Sequence, residues 1–239
     1  MPWTEPTTDY WQRFESPASW RGRLEPPYRF AYPALVDAGR MLSLPIRPLP
    51  ASRPETGPDG EPRAPRAVAS FIGNQASVHV VDELARAMGD RARTLRPDVV
   101  VGLPTLGMGF APGVVRRLGQ ERYVPLGYSR KYWYDDALAT HVSSVTSLAA
   151  KTVYLDPNQL RLVRGRRVAI VDDVVSTART LTAVWELLES LEADVVGAVV
   201  AMRQTARWPA ALGTDRAGRV LGVFDSPGLA LGQDGWWPE

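Results

Sequence analysis

Four apolar residues that run straight into two carboxylates constrain this chain more than any other stretch. Residues 168–181 read Val-Ala-Ile-Val-Asp-Asp-Val-Val-Ser-Thr-Ala-Arg-Thr-Leu. The β-branched run from Arg167 to Val171 predicts a buried parallel strand. It is followed by Asp172 and Asp173, two further apolar residues and a hydroxyl-rich turn, Ser176-Thr177-Ala178-Arg179-Thr180. An amphipathic pattern then predicts a helix over 178–192. The order is therefore strand, acidic pair, turn, helix. The first N–H groups of a helix, backed by its dipole, attract anions. Thr177 and Thr180 add hydroxyl donors. Carboxylates placed one turn upstream suit sugar hydroxyls or a hydrated Mg²⁺, a cation that takes oxygen ligands and retains waters. A ligand carrying phosphate, ribose and Mg²⁺ at these spacings is a phosphorylated sugar. A strand that happens to end in Asp-Asp, followed by a solvated helix start, is the structural alternative.

The rest of the chain reads as alternating strands and helices. Strands are expected at Pro97–Val101, Arg122–Tyr128, 167–171, Asp194–Met202 and Arg219–Phe224, and helices over 74–94 and 109–119. This alternation predicts an α/β fold with a mainly parallel twisted sheet flanked by helices. Ligands of such sheets bind beyond the carboxyl ends of the strands, so the turns at 102–108, 129–131 and 172–180 should converge on one cleft. Ahead of this lies an N-terminal extension, residues 1–66. It has an aromatic-rich start that wraps the core or meets a second subunit, two strands over 28–36 and 40–48, and a loop at 51–66 marked by Pro and Gly. Residues 67–239 form the main domain. Residues 129–158 read as a long polar and aromatic excursion.

Composition narrows the chemistry. The 239 residues are 45% hydrophobic, enough for one ordinary core. There is no Cys, which rules out disulfides and thiolate chemistry, and the two His do not make a multi-histidine zinc site. A net charge of +2 is too mild to demand a nucleic-acid partner. No apolar run reaches membrane-spanning length, and the start has no signal-peptide shape, so a cytoplasmic location is expected.

The 168–180 segment resembles the phosphoribosyl-pyrophosphate (PRPP) motif of the type I phosphoribosyltransferases. The acidic pair, Thr177 and Thr180 match the pattern. Ala178 departs from it, standing where the family more often has glycine. We expect Ala178 at negative φ with its N–H on the phosphate; a positive φ there would strain an alanine. Val99 to Gly109 is similar to the family's pyrophosphate loop, with Thr105, Leu106 and Gly107 offering backbone N–H groups. Arg130-Lys131 matches an Arg-Lys pair that reaches the pyrophosphate in purine members. Ser70-Phe71-Ile72-Gly73-Asn74-Gln75 resembles a base-pocket stretch of xanthine members, and a mobile closing loop belongs in the 140–147 interval. The likeness covers about residues 68–225 and is nearest to the adenine and xanthine branches. Ser176 stands where many hypoxanthine-guanine members carry an aspartate.

This resemblance implies a transferase that joins a small heterocyclic base to C1 of PRPP and releases pyrophosphate, with Mg²⁺ as cofactor and a homodimer as the assembly. Asp172 and Asp173 would hold the ribose hydroxyls and the metal, Ser176 to Thr180 the 5′-phosphate, and Arg130 and Lys131 the leaving group. Phe71, Asn74, Arg203 and Phe224 are candidates for the base, although Phe71 and Phe224 read equally as core residues. Two alternatives stay open: a regulator that senses PRPP or a nucleotide without chemistry, and a transferase for a non-standard base.

Overall fold

The computed structural model describes residues 12–50, 64–142 and 151–239. In chain order the N-terminal part gives β1 (Phe14–Glu15), β2 (Ala31–Leu35), β3 (Met41–Pro48) and β4 (Arg66–Ala69). The next units are α1 (Val78–Leu95), β5 (Val99–Gly102), α2 (Gly107–Leu118) and β6 (Val124–Pro125). A hairpin follows, β7 (Ala139–Val142) and β8 (Lys151–Tyr154), then the short α3 (Leu160–Val163). The last part contains β9 (Arg167–Val175), α4 (Arg179–Ser190), β10 (Asp194–Gln204), α5 (Trp208–Leu212), α6 (Thr214–Gly218), β11 (Val220–Ser226), β12 (Gly228–Leu231) and β13 (Trp236–Pro238).

Five of these strands make the central sheet in the order β11-β10-β9-β5-β6, and every pairing in it is parallel. Buried on both faces, its strands are the apolar runs seen in the sequence. One face packs on α4, with Leu181, Val184, Trp185 and Leu188 against Val168, Ile170 and Val200. The other packs on α1 and α2, with Leu84, Met88, Phe110 and Val114 against Val100, Val171 and Val199. Ser77 caps α1 by accepting from the Val80 N–H, which is why that helix begins at Val78 and not at 74; residues 73–75 form a separate 3₁₀ turn.

A second sheet, antiparallel throughout, runs β1-β3-β4-β12-β13 with β2 on β3. The two strands expected at 28–36 and 40–48 are its β2 and β3. Two of its members, β12 and β13, lie in a C-terminal stretch where no strand is expected, because Gly and Pro interrupt its apolar pattern. N-terminal and C-terminal strands thus share one sheet, with Tyr28, Ile46, Leu229 and Trp236 in a small core of its own.

Two further expectations are corrected and one is filled in. The strand foreseen over 122–128 is only Val124–Pro125 plus one bridge from Gly127 to Tyr154. The excursion at 129–158 contains the β7-β8 hairpin. The strand that carries the acidic pair does not stop at Val171: β9 continues to Val175, because β10 pairs with it as far as Arg203 opposite Val175. Residues 51–63 of the expected 51–66 loop, residues 143–147 of the 140–147 closing-loop interval and the aromatics Trp3, Tyr10 and Trp11 lie outside the described residues, while residues 140–142 belong to β7 and Arg66 opens β4.

Candidate active site

The acidic pair sits where the central sheet loses a strand. β5 pairs with β9 only as far as Gly102 opposite Val171, and the Leu103 N–H then closes on the Val171 carbonyl at 2.9 Å. Beyond that point β9 continues beside β10 alone, so Asp172 and Asp173 border a notch left by the departing β5. The start of α2 fills part of it. A Cβ on Gly107 would stand 2.4 Å from the Val171 carbonyl oxygen and 2.9 Å from the Asp172 Cα. Only glycine admits this approach, which brings the Gly107 N–H onto the Asp172 carboxyl.

Asp172 is half-buried, while Asp173 is only 7% exposed and does not face solvent as a strand end would. Its carboxyl accepts from the Val174 N–H at 2.8 Å and from the Gly73 N–H, while Asp172 Oδ1 accepts from the Asp173 N–H at 2.9 Å. Desolvation pushes Asp172 well above the usual carboxylate range, and the neighbouring Asp173 pushes the same way. Desolvation raises Asp173 as well, to about 6, against the pull of its N–H donors. A buried and a half-buried carboxyl side by side favour holding a proton between them until a ligand supplies hydroxyls or positive charge.

Past Val175 the chain turns into α4 around a cavity of about 140 Å³. Asp172, Val174, the 175–181 turn and Val200 line it. That is several times the roughly 30 Å³ that a water occupies in the liquid. The turn is made by Ala178, at φ 58° and ψ 6°, directly before α4. Negative φ was expected here, and the structure overturns it. The left-handed residue curls successive N–H groups toward one point, an arrangement that suits an anion. No side chain caps the helix start, so the first-turn N–H groups remain available to a ligand. The methyl of Ala178 is buried in the core with Leu181 and Val175, which holds the residue in this conformation.

The pyrophosphate-loop candidates border the same notch: Gly107 abuts Asp172, with Thr105 exposed and Leu106 half-buried just before it. The Pro104–Thr105 peptide is cis. Tyr128 ties this loop to the next segment by donating its hydroxyl to the Pro104 carbonyl at 3.1 Å. Burial raises the Tyr128 phenol, and the charge of Asp172 raises it further. Lys151, at the start of β8, lies 5.2 Å above that ring. Neither Tyr128 nor Lys151 stands out in the sequence; the one available signal was an aromatic at a strand end.

The other candidates are less tightly gathered. Arg130 and Lys131 follow Tyr128 and are exposed, with Arg130 paired to Asp136 at 3.0 Å. Arg203 is engaged by Asp225 in two hydrogen bonds of 2.7 and 2.8 Å. Phe71 and Phe224 meet edge to face at 5.8 Å and are both core residues, so neither ring presents an open face. Asn74 is exposed on the 3₁₀ turn, next to the Gly73 N–H that reaches Asp173. Among the described residues no group of three or more His, Asp or Glu gathers as a metal centre, and no helix is long and apolar enough to cross a membrane.

A parallel sheet with a phosphate-sized turn and an acidic pair at its carboxyl edge defines a nucleotide- or sugar-phosphate-binding α/β protein. The comparisons with known proteins narrow this. Residues 73–220 match the family model described as the phosphoribosyl transferase domain, and the chain belongs to that family. It is 33% identical over 147 residues to the adenine phosphoribosyltransferase of Oenococcus oeni, covering 55% of this chain and 70% of that one. The corresponding enzyme of Prochlorococcus marinus is 31% identical over 118 residues, covering 48% of this chain and 64% of its own length. The crystal structure of adenine phosphoribosyltransferase from Rhodothermus marinus superposes with a TM-score of 0.52 at 19% identity. It covers 76% of this chain and 94% of that one, a likeness of fold.

Proposed function

We propose that this protein transfers the 5-phosphoribosyl group of PRPP to a ring nitrogen of a purine base, adenine foremost, releasing pyrophosphate and a nucleoside 5′-monophosphate. One observation carries the reading: the acidic pair at the sheet's notch, with Asp172 lining the cavity and Asp173 buried behind it, stands beside a phosphate-sized turn at the start of α4. The choice of adenine rests on the names of the relatives and on Ser176, which offers no carboxylate base at its position.

On this reading the base nitrogen bonds to C1 of the ribose as the C1–O bond to pyrophosphate breaks, with inversion. The transition state is cationic at the sugar, so catalysis is mainly electrostatic. Asp173 and Asp172 would accept from the ribose hydroxyls, lose their shared proton, and lie under the developing positive charge. The 176–180 turn would hold the 5′-phosphate through N–H groups and the hydroxyls of Ser176, Thr177 and Thr180. Thr105 and Leu106 would donate N–H groups to the pyrophosphate, beside Gly107, whose own N–H is held on Asp172, joined by Arg130, Lys131 and Lys151 once the ligand draws them in. Two carboxyls are too few to cage a cation, which fits Mg²⁺ arriving with PRPP and meeting Asp172 partly through water. The ion would neutralise the leaving group's charge. The exposed Tyr132-Trp133 pair, 4.7 Å apart and edge to face, is a candidate surface for a homodimer.

The test is an initial-rate panel with PRPP, Mg²⁺ and adenine, hypoxanthine, guanine, xanthine and non-purine bases. Pyrophosphate release with adenine at least tenfold faster than with the oxopurines supports the reading. Preference for an oxopurine would replace the base; release with a non-purine alone would replace the class.

A further inference from the structure

The turn from β5 into α2 is held at both ends and open between them. The Leu103 N–H donates to the Val171 carbonyl at 2.9 Å, and the Gly107 N–H is held on the Asp172 carboxyl. Between these anchors the Pro104 carbonyl accepts from the Tyr128 hydroxyl at 3.1 Å. Thr105 is exposed, Leu106 is half-buried, and neither N–H group makes a hydrogen bond among the described residues. Tyr128 is itself fixed. Gly127 before it exchanges two backbone hydrogen bonds with Tyr154, at 3.1 and 2.9 Å, and the Leu126 N–H donates to the Gly102 carbonyl at 3.1 Å. The Lys151 ammonium lies 5.2 Å from the centre of the Tyr128 ring, and Arg130 and Lys131 follow in the same segment.

The Pro104 carbonyl and the Thr105 N–H are the two ends of one planar peptide unit. Holding the carbonyl therefore sets the direction of that N–H. Adjacent open donors, Thr105 and Leu106, on a turn beside Asp172 are suited to the oxygens of an anion. A phenylalanine at 128 would pack as well as the tyrosine and leave this peptide unit untethered.

We propose that Tyr128 is a positioning residue for the leaving group: its hydroxyl orients the Pro104–Thr105 peptide so that the Thr105 N–H meets a pyrophosphate oxygen, and its ring seats the Lys151 ammonium beside the same turn. The inference rests on the transferase reading above. It gives an uncharged side chain control over the pyrophosphate half of PRPP. It gives that side chain none over the ribose 5-phosphate half, because neither its hydrogen bond nor its ring contact reaches the 176–180 turn.

The experiment compares the wild-type chain with Tyr128→Phe, which removes the hydroxyl and keeps the ring under Lys151, and with Tyr128→Leu, which removes both. Pyrophosphate with Mg²⁺ and ribose 5-phosphate are titrated separately by calorimetry, and KM is measured for PRPP and for adenine. Tyr128→Phe should weaken pyrophosphate about fivefold, the size of one neutral hydrogen bond, and raise the KM for PRPP by a similar factor. Ribose 5-phosphate affinity and the KM for adenine should stay at the wild-type values. Tyr128→Leu should lose more pyrophosphate affinity than Tyr128→Phe, again with ribose 5-phosphate unchanged; if it does not fold, Tyr128→Phe decides alone. Unchanged pyrophosphate affinity in Tyr128→Phe, with wild type binding both probes, would overturn the proposal. So would ribose 5-phosphate affinity lost in step with pyrophosphate, which marks general loosening. A wild type that binds neither probe would overturn the transferase reading itself.

Discussion

Replacing Asp173 by Asn should separate stability from turnover, and the separation should depend on pH. In the folded protein desolvation holds this carboxyl at about 6, against an ordinary value of 3.8. Between those values the folded state keeps a proton that the unfolded chain has already released. Stability therefore falls as pH rises through the window, and the whole cost is present above about pH 6. A displacement of roughly two units amounts to about 3 kcal/mol, an upper figure for a group this close to a second carboxyl. Asn removes the charge and leaves one oxygen for two N–H donors, Val174 and Gly73, which costs about 1–3 kcal/mol at any pH. At pH 8 the two effects nearly cancel, whereas at pH 4 only the lost hydrogen bond remains. The difference between pH 4 and pH 8 isolates the titration. Denaturant unfolding should show wild type losing about 3 kcal/mol more than Asp173→Asn between those pH values. At pH 8, kcat should drop on the order of a hundredfold, about 3 kcal/mol of lost stabilisation of the sugar cation. Parallel pH profiles of stability for the two proteins would refute the buried-charge argument, and wild-type turnover in the variant would refute the role.

Ala178→Gly relieves a left-handed alanine, about 1–2 kcal/mol. Against that stand a looser unfolded chain, about 0.4–1 kcal/mol, and a lost buried methyl, about 0.8 kcal/mol. The melting temperature should thus move by less than about 4 °C and PRPP affinity by less than about tenfold, or 1.4 kcal/mol; a hundredfold gain in titration calorimetry would show the native turn to be impaired. Gly107→Ala drives a methyl to 2.4 Å from the Val171 carbonyl oxygen, so PRPP binding and stability should both fall, the latter by about 1–3 kcal/mol, and a thermal melt unchanged from wild type would contradict the packing described. Binding of PRPP with Mg²⁺ near pH 6 should release protons from the acidic pair, read as a dependence of the calorimetric heat on buffer ionisation enthalpy; equal heats in cacodylate and imidazole, which both buffer there, would contradict the raised carboxyls.

The local chemistry of the site was legible because it lies in one continuous stretch. Val168 to Val171, the acidic pair and the α4 start are neighbours in sequence, and strand period and helix-start chemistry report on neighbours. The length of β9 was not legible, since it depends on β10 running alongside. The positive φ at Ala178 runs against its residue type, and its methyl is buried in the core. Phe71 and Phe224 read as well for a base stack as for a core, and only their mutual packing with Phe110 decides where the rings lie. Gly73, Tyr128 and Lys151 act across the fold, so no local pattern marks them. β12 and β13 are strands because β4 offers an edge, against a sequence broken by Gly and Pro.

The central claim is that the 172–180 segment binds PRPP in order to transfer its ribosyl group, and phosphorus NMR tests it most directly. The protein is incubated with PRPP, Mg²⁺ and adenine, and the phosphorus resonances are followed with time. The account predicts pyrophosphate and a nucleoside 5′-monophosphate appearing in equal amounts, at a rate that depends on adenine. PRPP that binds and raises the melting temperature, yet stays intact with every base offered, would contradict it and identify a PRPP sensor.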